Sequence, residues 1–410
     1  MPSHEPCARL ESLDGTAPAL LGVTLTGDLR GPLFEVRVEQ RFANPGRTPM
    51  ELVYTFPLPW GAQLLGVQVQ LGDRQLIGAV AEKTAAQARY EDALADGDAA
   101  ILLQRNHDHS YSLNLGNLAP AEHCSITLHY AQALAFEQGG LRLLIPTVLA
   151  PRHGDPVADA GLAPHQVVPP SLTAEHPFAL ELRVHGALAR ARLASPSHPV
   201  SVQQDGDHLT IALARAAALD RDFVLQLDQL PQASLALAAP DPQAGADAVA
   251  VLASFCPRIA ADGPTPATAV KLLVDCSGSM EGDSMEAARR ALQAIVLQLG
   301  AGDRFSLSRF GSGVEHRTRS LWKLTEATRA AAQRWVGALQ ADLGGTEMQA
   351  ALASTFALGG HSDLLLVTDG GIHAVDATIA AARASGQRVF VVGIGASPAE
   401  PLLRRLAEAT

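Results

Sequence analysis

After a loose leader over residues 1–17, apolar and polar residues alternate with a period of two from Leu20 to Tyr54. Phe34, Val36 and Val38 face one way between Glu35, Arg37 and Glu39, the signature of a half-buried strand. Asn44-Pro45-Gly46 breaks the run and Glu51–Phe56 resumes it. Phe56-Pro-Leu-Pro59 then forces an extended exit, because proline removes a ladder donor. Leu64–Leu71 alternates again, whereas 79–96 switches to helical spacing, with Ala81, Ala85, Ala88 and Ala93 among Glu82, Lys83, Arg89 and Glu91. Strands are predicted at 100–104, 110–115 and 125–130, the last two joined by a turn at Asn117–Pro120. Residues 149–175, rich in Pro, Ala, Gly and His, read as a linker. Alternation returns over 176–232 at Phe178–Val184, His208–Leu213 and Phe223–Leu227, with Asp205-Gly206 as a hairpin signal. This accessory β segment is expected to pack with the first strands as a sandwich.

From residue 247 the pattern changes class. Val249–Phe255 is expected to open an α/β domain over 247–410. Its buried strand is the apolar run Leu272-Leu273-Val274, ending in Asp275. A helix over 284–299 follows, with Ala288, Leu292, Ile295 and Leu299 on one face. Next come strands at 304–310 and near Val314, helices at 326–339 and 347–358, a strand at 363–368, a helix at 374–384, a strand at 388–393 and a last helix around 400–409. Strands alternating with helices predict a doubly wound, mostly parallel, Rossmann-like sheet. Ligands of such sheets bind at the carboxyl ends of strands where the strand order reverses. The expected fold class is therefore multidomain: an all-β N-terminal domain with one short helix and an accessory β-sandwich, then a C-terminal α/β domain.

Candidate chemistry concentrates at those strand ends. Asp275 is followed by two hydroxyls, Ser277 and Ser279, around Gly278; Asp283 and Glu286 read as a capping box for the next helix. Gly344-Gly345-Thr346 puts a hydroxyl on a glycine turn before another helix, expected to be the most mobile of the donor-bearing segments because glycines accept backbone angles that other residues resist, and Thr368-Asp369-Gly370 puts a second carboxylate at the end of another buried strand. Carboxylates and hydroxyls are hard oxygen donors, suited to Mg²⁺ or Mn²⁺.

Asp-x-Ser-x-Ser, a loop Thr and a strand-end Thr-Asp-Gly, in that order, resemble the metal-ion-dependent adhesion site of von Willebrand factor type A domains. The resemblance implies that Asp275, Ser277, Ser279, Thr346 and Asp369 hold Mg²⁺ or Mn²⁺ and leave one position for a partner's Asp or Glu. A second resemblance covers about 18–148: Phe42-x-Asn44-Pro45, Tyr54-x-Phe56-Pro57-Leu58-Pro59, Glu82-Lys83, Tyr90-Glu91-x-Ala93, Gly116-Asn117-Leu118-x-Pro120 and Leu128-x-Tyr130 look like the vault protein inter-α-trypsin (VIT) domain. The inter-α-trypsin heavy chains carry the two domains in the same order. Type A domains usually continue with a further strand and helix, so the domain is expected either to be trimmed or to continue beyond Thr410. The resemblance implies metal-dependent protein binding; the alternative is a scaffold whose metal only stabilises the fold while the VIT half makes the contacts.

Composition narrows the partners. The 410 residues include 47% hydrophobic and 18% charged positions, a globular balance, and a net charge of −11 argues against nucleic acid. Cys7, Cys124, Cys256 and Cys276 form no CxxC pair, so free thiols are expected. Neither a signal peptide nor an apolar run of membrane-spanning length is seen, which makes a cytoplasmic location the expectation. No catalytic constellation is read. Gly282-Asp283-Ser284-Met285 resembles an esterase nucleophile block but lacks a positioned base, and reads as a helix cap. His107-Asp108-His109 reads as a polar hairpin tip, Tyr90 as a packing tyrosine with Glu91 a solvated carboxylate, and Asp363 and Asp376 as surface polar groups.

Overall fold

A computed structural model describes residues 10–12, 19–78, 81–98, 100–105, 110–137, 139–147, 177–230, 234–241, 243–245, 247–255, 267–370, 374–395 and 398–410. They form two compact units, one within 10–255 and the other within 267–410. His107-Asp108-His109, Cys7 and Cys256 lie outside the described residues; Cys124 and Cys276 are buried free thiols.

The first unit is built of sheets. The largest runs Val200–Asp205, His208–Leu213, Pro177–His185, Ala19–Arg30, Leu33–Ala43, His123–Ala133, Gln63–Leu71 and Arg74–Ile77, with Ala217–Ala218 beside Pro177–His185. Its pairs are antiparallel except for Pro177–His185 along Ala19–Arg30. Gly31-Pro32 adds a turn inside the first alternating stretch, with Gly31 at φ 54°. The accessory segment enters these sheets directly: Phe223–Asp228 pairs with Gly140–Ile145. Alternation translates into burial as expected, with Phe34, Val36, Phe42, Ile126 and Leu128 on the core side.

The VIT-like motifs prove to be architectural. Asn44 is buried and its amide donates to the carbonyls of Thr48, Leu118 and Ala119, while its Oδ1 accepts from Gly46. One side chain thus ties the Asn-Pro-Gly turn to the Gly-Asn-Leu-x-Pro segment. Glu82 caps the helix Lys83–Ala95 by accepting from Thr84 N and Ala85 N, which is why that helix starts later than the helical spacing over 79–96 suggested. Tyr90 and Leu94 of this helix close over Gly116, where a Cβ would stand 2.0 Å from Leu94 Cδ2.

Val249–Phe255 does not join the α/β sheet. It pairs antiparallel with Ser234–Pro240, and Val249, Val251 and Phe255 are exposed, whereas a central parallel strand is covered on both faces.

The second unit, its elements numbered here from its own start, contains β1 (Ala269–Asp275), α1 (Asp283–Gln298), β2 (Arg304–Phe310), β3 (Val314–His316), α2 (Glu326–Gly337), α3 (Met348–Phe356), β4 (Asp363–Thr368), α4 (Val375–Ser385), β5 (Val389–Gly393) and α5 (Glu400–Glu408). The sheet order is β3-β2-β1-β4-β5, with β1 parallel to both β2 and β4 and only β3 among these antiparallel. Val270, Leu272 and Val274 of β1 pack with Met285, Leu292 and Val336 from α1 and α2. Leu273 faces the other way, against Leu352, Leu364 and Leu403. β1 is thus buried on both sides, and the order reverses between β1 and β4, where Asp275 and Asp369 lie.

The capping expectation for α1 is corrected: Gly282, at φ 78° and ψ −128°, occupies the cap position, with no side-chain cap bond. Asp283 and Glu286 instead lie in the first turn, where their charges complement the helix dipole. Asp363 and Asp376 do serve surface ion pairs, with Arg388 and Arg405.

Candidate metal centre at the strand ends

Asp275 ends β1 with no exposed surface. Its Oδ1 accepts from Ser277 N at 2.9 Å, and its Oδ2 accepts from Thr368 Oγ1 at 2.7 Å. Thr368 ends β4 and its hydroxyl also accepts from Gly370 N, so one side chain joins the Asp275 and Asp369 strand ends. Burial, the largest influence, pushes the Asp275 carboxyl up to about 6; bonds from Ser277 and Thr368 pull it down, and the Asp369 charge pushes it further up. Ser277 Oγ lies 3.1 Å from Ser279 Oγ. Cys276, between Asp275 and Ser277, is buried, and burial pushes its thiol up to about 12.

The third segment is stitched in through its backbone. Leu343 N donates to Cys276 O at 3.0 Å, and Gly278 N donates to Gly344 O at 2.8 Å. From the other side, Ser312 N donates to Leu343 O, Gly345 N donates to Ser312 Oγ, and Glu347 N donates to Gly311 O. Thr346 therefore sits on a turn fastened at five points. The Gly-Gly sequence suggested a loose turn; instead Gly344 takes φ 75°, and a Cβ there would stand 2.9 Å from Ser312 Oγ.

All five expected residues thus fall at one edge of one sheet. Asp275, Ser277 and Ser279 share direct side-chain and local backbone bonds, while Thr346 and Asp369 arrive through the segments bonded to them. Thr368, Gly311 and Ser312 were missed as contributors. Gly311-Ser312-Gly313 follows β2 at the same sheet edge, and that position was the available signal.

Among the described residues no three His, Cys, Asp or Glu side chains converge as a metal-holding group. The candidate set differs in kind, since three of its five side chains are hydroxyls. Adjacent ligands of octahedral Mg²⁺, each about 2.0–2.1 Å from the ion, stand about 3 Å apart. The Ser277–Ser279 separation of 3.1 Å fits that edge. Hard oxygen donors beside a buried carboxylate fit a hard divalent cation.

Two family profiles match the chain: "Vault protein inter-alpha-trypsin domain" over residues 20–130 and "von Willebrand factor type A domain" over residues 268–410. A human protein, von Willebrand factor A domain-containing protein 5A, is 27% identical over 90% of this chain and 51% of its own length. A Dictyostelium discoideum protein, von Willebrand factor A domain-containing protein DDB_G0285975, is 24% identical over 95% of this chain and 42% of its own. Human protein mono-ADP-ribosyltransferase PARP4 is 24% identical over 98% of this chain and 24% of its own. The chain spans about half the length of the 5A relative and less of the other two. Likeness to the inter-α-trypsin heavy chains rests on domain order alone. No helix among the described residues is long and apolar enough to cross a membrane.

Proposed function

The chain is a VIT plus von Willebrand factor type A domain protein, and from that premise we propose that its second unit binds a protein partner through a divalent cation, Mg²⁺ or Mn²⁺. Type A domains are typically protein-binding modules. In this reading Ser277, Ser279 and Thr346 present hydroxyl oxygens, and Asp275 and Asp369 supply negative charge directly or through water. A cation there, held by few protein charges, attracts an Asp or Glu carboxylate from the partner. Asp275 holds the Ser277 backbone in place, Thr368 spaces the two carboxylates, and the fastened turn presents Thr346. No role as an enzyme is proposed, and the expected cytoplasmic location remains part of this reading.

The observation that supports it most is the bonding of two strand ends and the Thr346 loop into one oxygen-rich edge around Asp275. Calorimetric titration with Mn²⁺ tests it: wild type should bind one ion and Asp275→Ala should not. Equal binding by the two would end the assignment. Partner capture should then require Mg²⁺ and fail in chelator.

A further inference from the structure

We propose that His316 is a positioning residue for this site: by bridging Ser308 to Ser354 it fixes α3 on the sheet and so sets where the Thr346 hydroxyl stands. The inference rests on the metal-binding reading above. β3 runs back along β2 with His316 opposite Ser308. One ring nitrogen, Nδ1, lies 2.8 Å from Ser308 Oγ, and the other, Nε2, lies 2.8 Å from Ser354 Oγ. Ser308 is fully buried in the sheet, whereas Ser354 lies on α3. The imidazole is therefore a rigid strut between them. A neutral ring offers one donor and one acceptor, and each hydroxyl can take the complementary role, so either tautomer completes both bonds. Burial holds the His316 pKa below its ordinary value, which favours that neutral form.

The strut matters because of what α3 carries. The helix begins at Met348, two residues after Thr346, and has only nine residues. Its buried side is Met348, Ala351, Leu352 and Thr355, and a small apolar face of this kind resists separation better than sliding. Directional bonds therefore set its position. At the amino end Glu347 N donates to Gly311 O; at the carboxyl end Lys271 Nζ donates to Phe356 O at 3.1 Å. His316 supplies a side-chain hold between those ends. Without it, a shift of α3 passes directly into the Thr346 turn.

Two variants separate positioning from general support. His316→Phe keeps a planar ring and removes both nitrogens; Ser354→Ala cuts only the bond to α3. Mn²⁺ affinity is measured by titration, and amide hydrogen exchange at Gly345 and Glu347 is measured in chelator. Both variants should weaken Mn²⁺ binding roughly tenfold and speed exchange at those two amides. The double variant should be no worse than His316→Phe, because one connection is cut in each. Where wild type binds Mn²⁺, unchanged affinity in both variants overturns the proposal even if their melting temperatures fall. Where wild type binds none, the metal reading fails by itself, and the exchange rates decide: unchanged exchange overturns the positioning role, and faster exchange upholds it.

Discussion

Gly311→Ala is the sharpest test of how the Thr346 loop is joined to the strand ends. A Cβ at this position would stand 2.4 Å from both Leu343 Cβ and Leu343 O, and 2.7 Å from Leu343 C. Ordinary carbon–carbon contact lies at about 3.5–4.0 Å, so the two segments must part by about 1 Å. The obstacle includes backbone, so no side-chain rotation removes it. Leu343 is also the residue whose N–H reaches Cys276 O and whose carbonyl accepts from Ser312 N, so separation strains both bonds. Thr346 follows three residues later, and metal ligands tolerate displacements of about 0.2 Å. Overpacking of this kind costs about 1–3 kcal/mol of stability, and misplacing one ligand should weaken metal binding by about tenfold or more. Urea unfolding in chelator, followed by tryptophan fluorescence to which this unit contributes Trp322 and Trp335, reads the first effect. Mn²⁺ titration reads the second. Gly313→Ala is the matched control, because a Cβ there meets nothing within 4 Å. If Gly311→Ala binds Mn²⁺ as tightly as Gly313→Ala, the turn is not held by this contact and the reasoning fails.

Three further outcomes are expected. In chelator at pH 7.5, Asp275→Asn should be more stable than wild type by about 1–3 kcal/mol, because burial holds the carboxyl at about 6 against an ordinary 3.8. The folded carboxyl binds its proton more tightly, so the variant's stability advantage over wild type should grow as pH rises from about 4 to 6; a less stable Asp275→Asn refutes this. Thr346→Ala should lose about tenfold in Mn²⁺ affinity with little change in melting temperature, and unchanged affinity would remove Thr346 from the ligand set. His198 is buried between Phe178 and Phe223, and burial, the largest influence, lowers its pKa. Its contribution is complete above about pH 6.5 and is lost as pH falls through the folded value, so His198→Phe should flatten the acid limb of the first unit's urea midpoint. An identical limb in the variant would locate that proton uptake elsewhere.

What the sequence revealed was what neighbouring residues decide. Leu272-Leu273-Val274 marks a strand covered on both faces, and Asp275, Ser277 and Ser279 follow within five positions, so both the α/β pattern and the first three donors could be read locally. The cap of α1 was misjudged by one residue because Gly282 adopts a positive φ that no side-chain pattern announces. The Gly344-Gly345 turn looked loose because its restraints come from the backbone of Cys276, Gly278, Gly311 and Ser312 and from the Ser312 hydroxyl, partners with no signature in the turn itself. Val249–Phe255 shows the same limit. Its apolar run announced a strand, yet the choice of partner depended on whether both faces would be covered.

The parallel pairing of Ala19–Arg30 with Pro177–His185 sets a timetable for synthesis. Val23 meets Phe178, roughly 150 residues later in the chain, and Gly140–Ile145 must wait for Phe223–Asp228. At about 5–20 residues per second on the ribosome, the first strand spends on the order of 10–30 s with one edge unpaired. An open edge is a template for pairing with other nascent chains, and closure over such sequence distances is intrinsically slow. The stretch matched as a VIT domain, 20–130, therefore leaves the ribosome well before the strands that complete its largest sheet, and chaperone demand should peak in that interval.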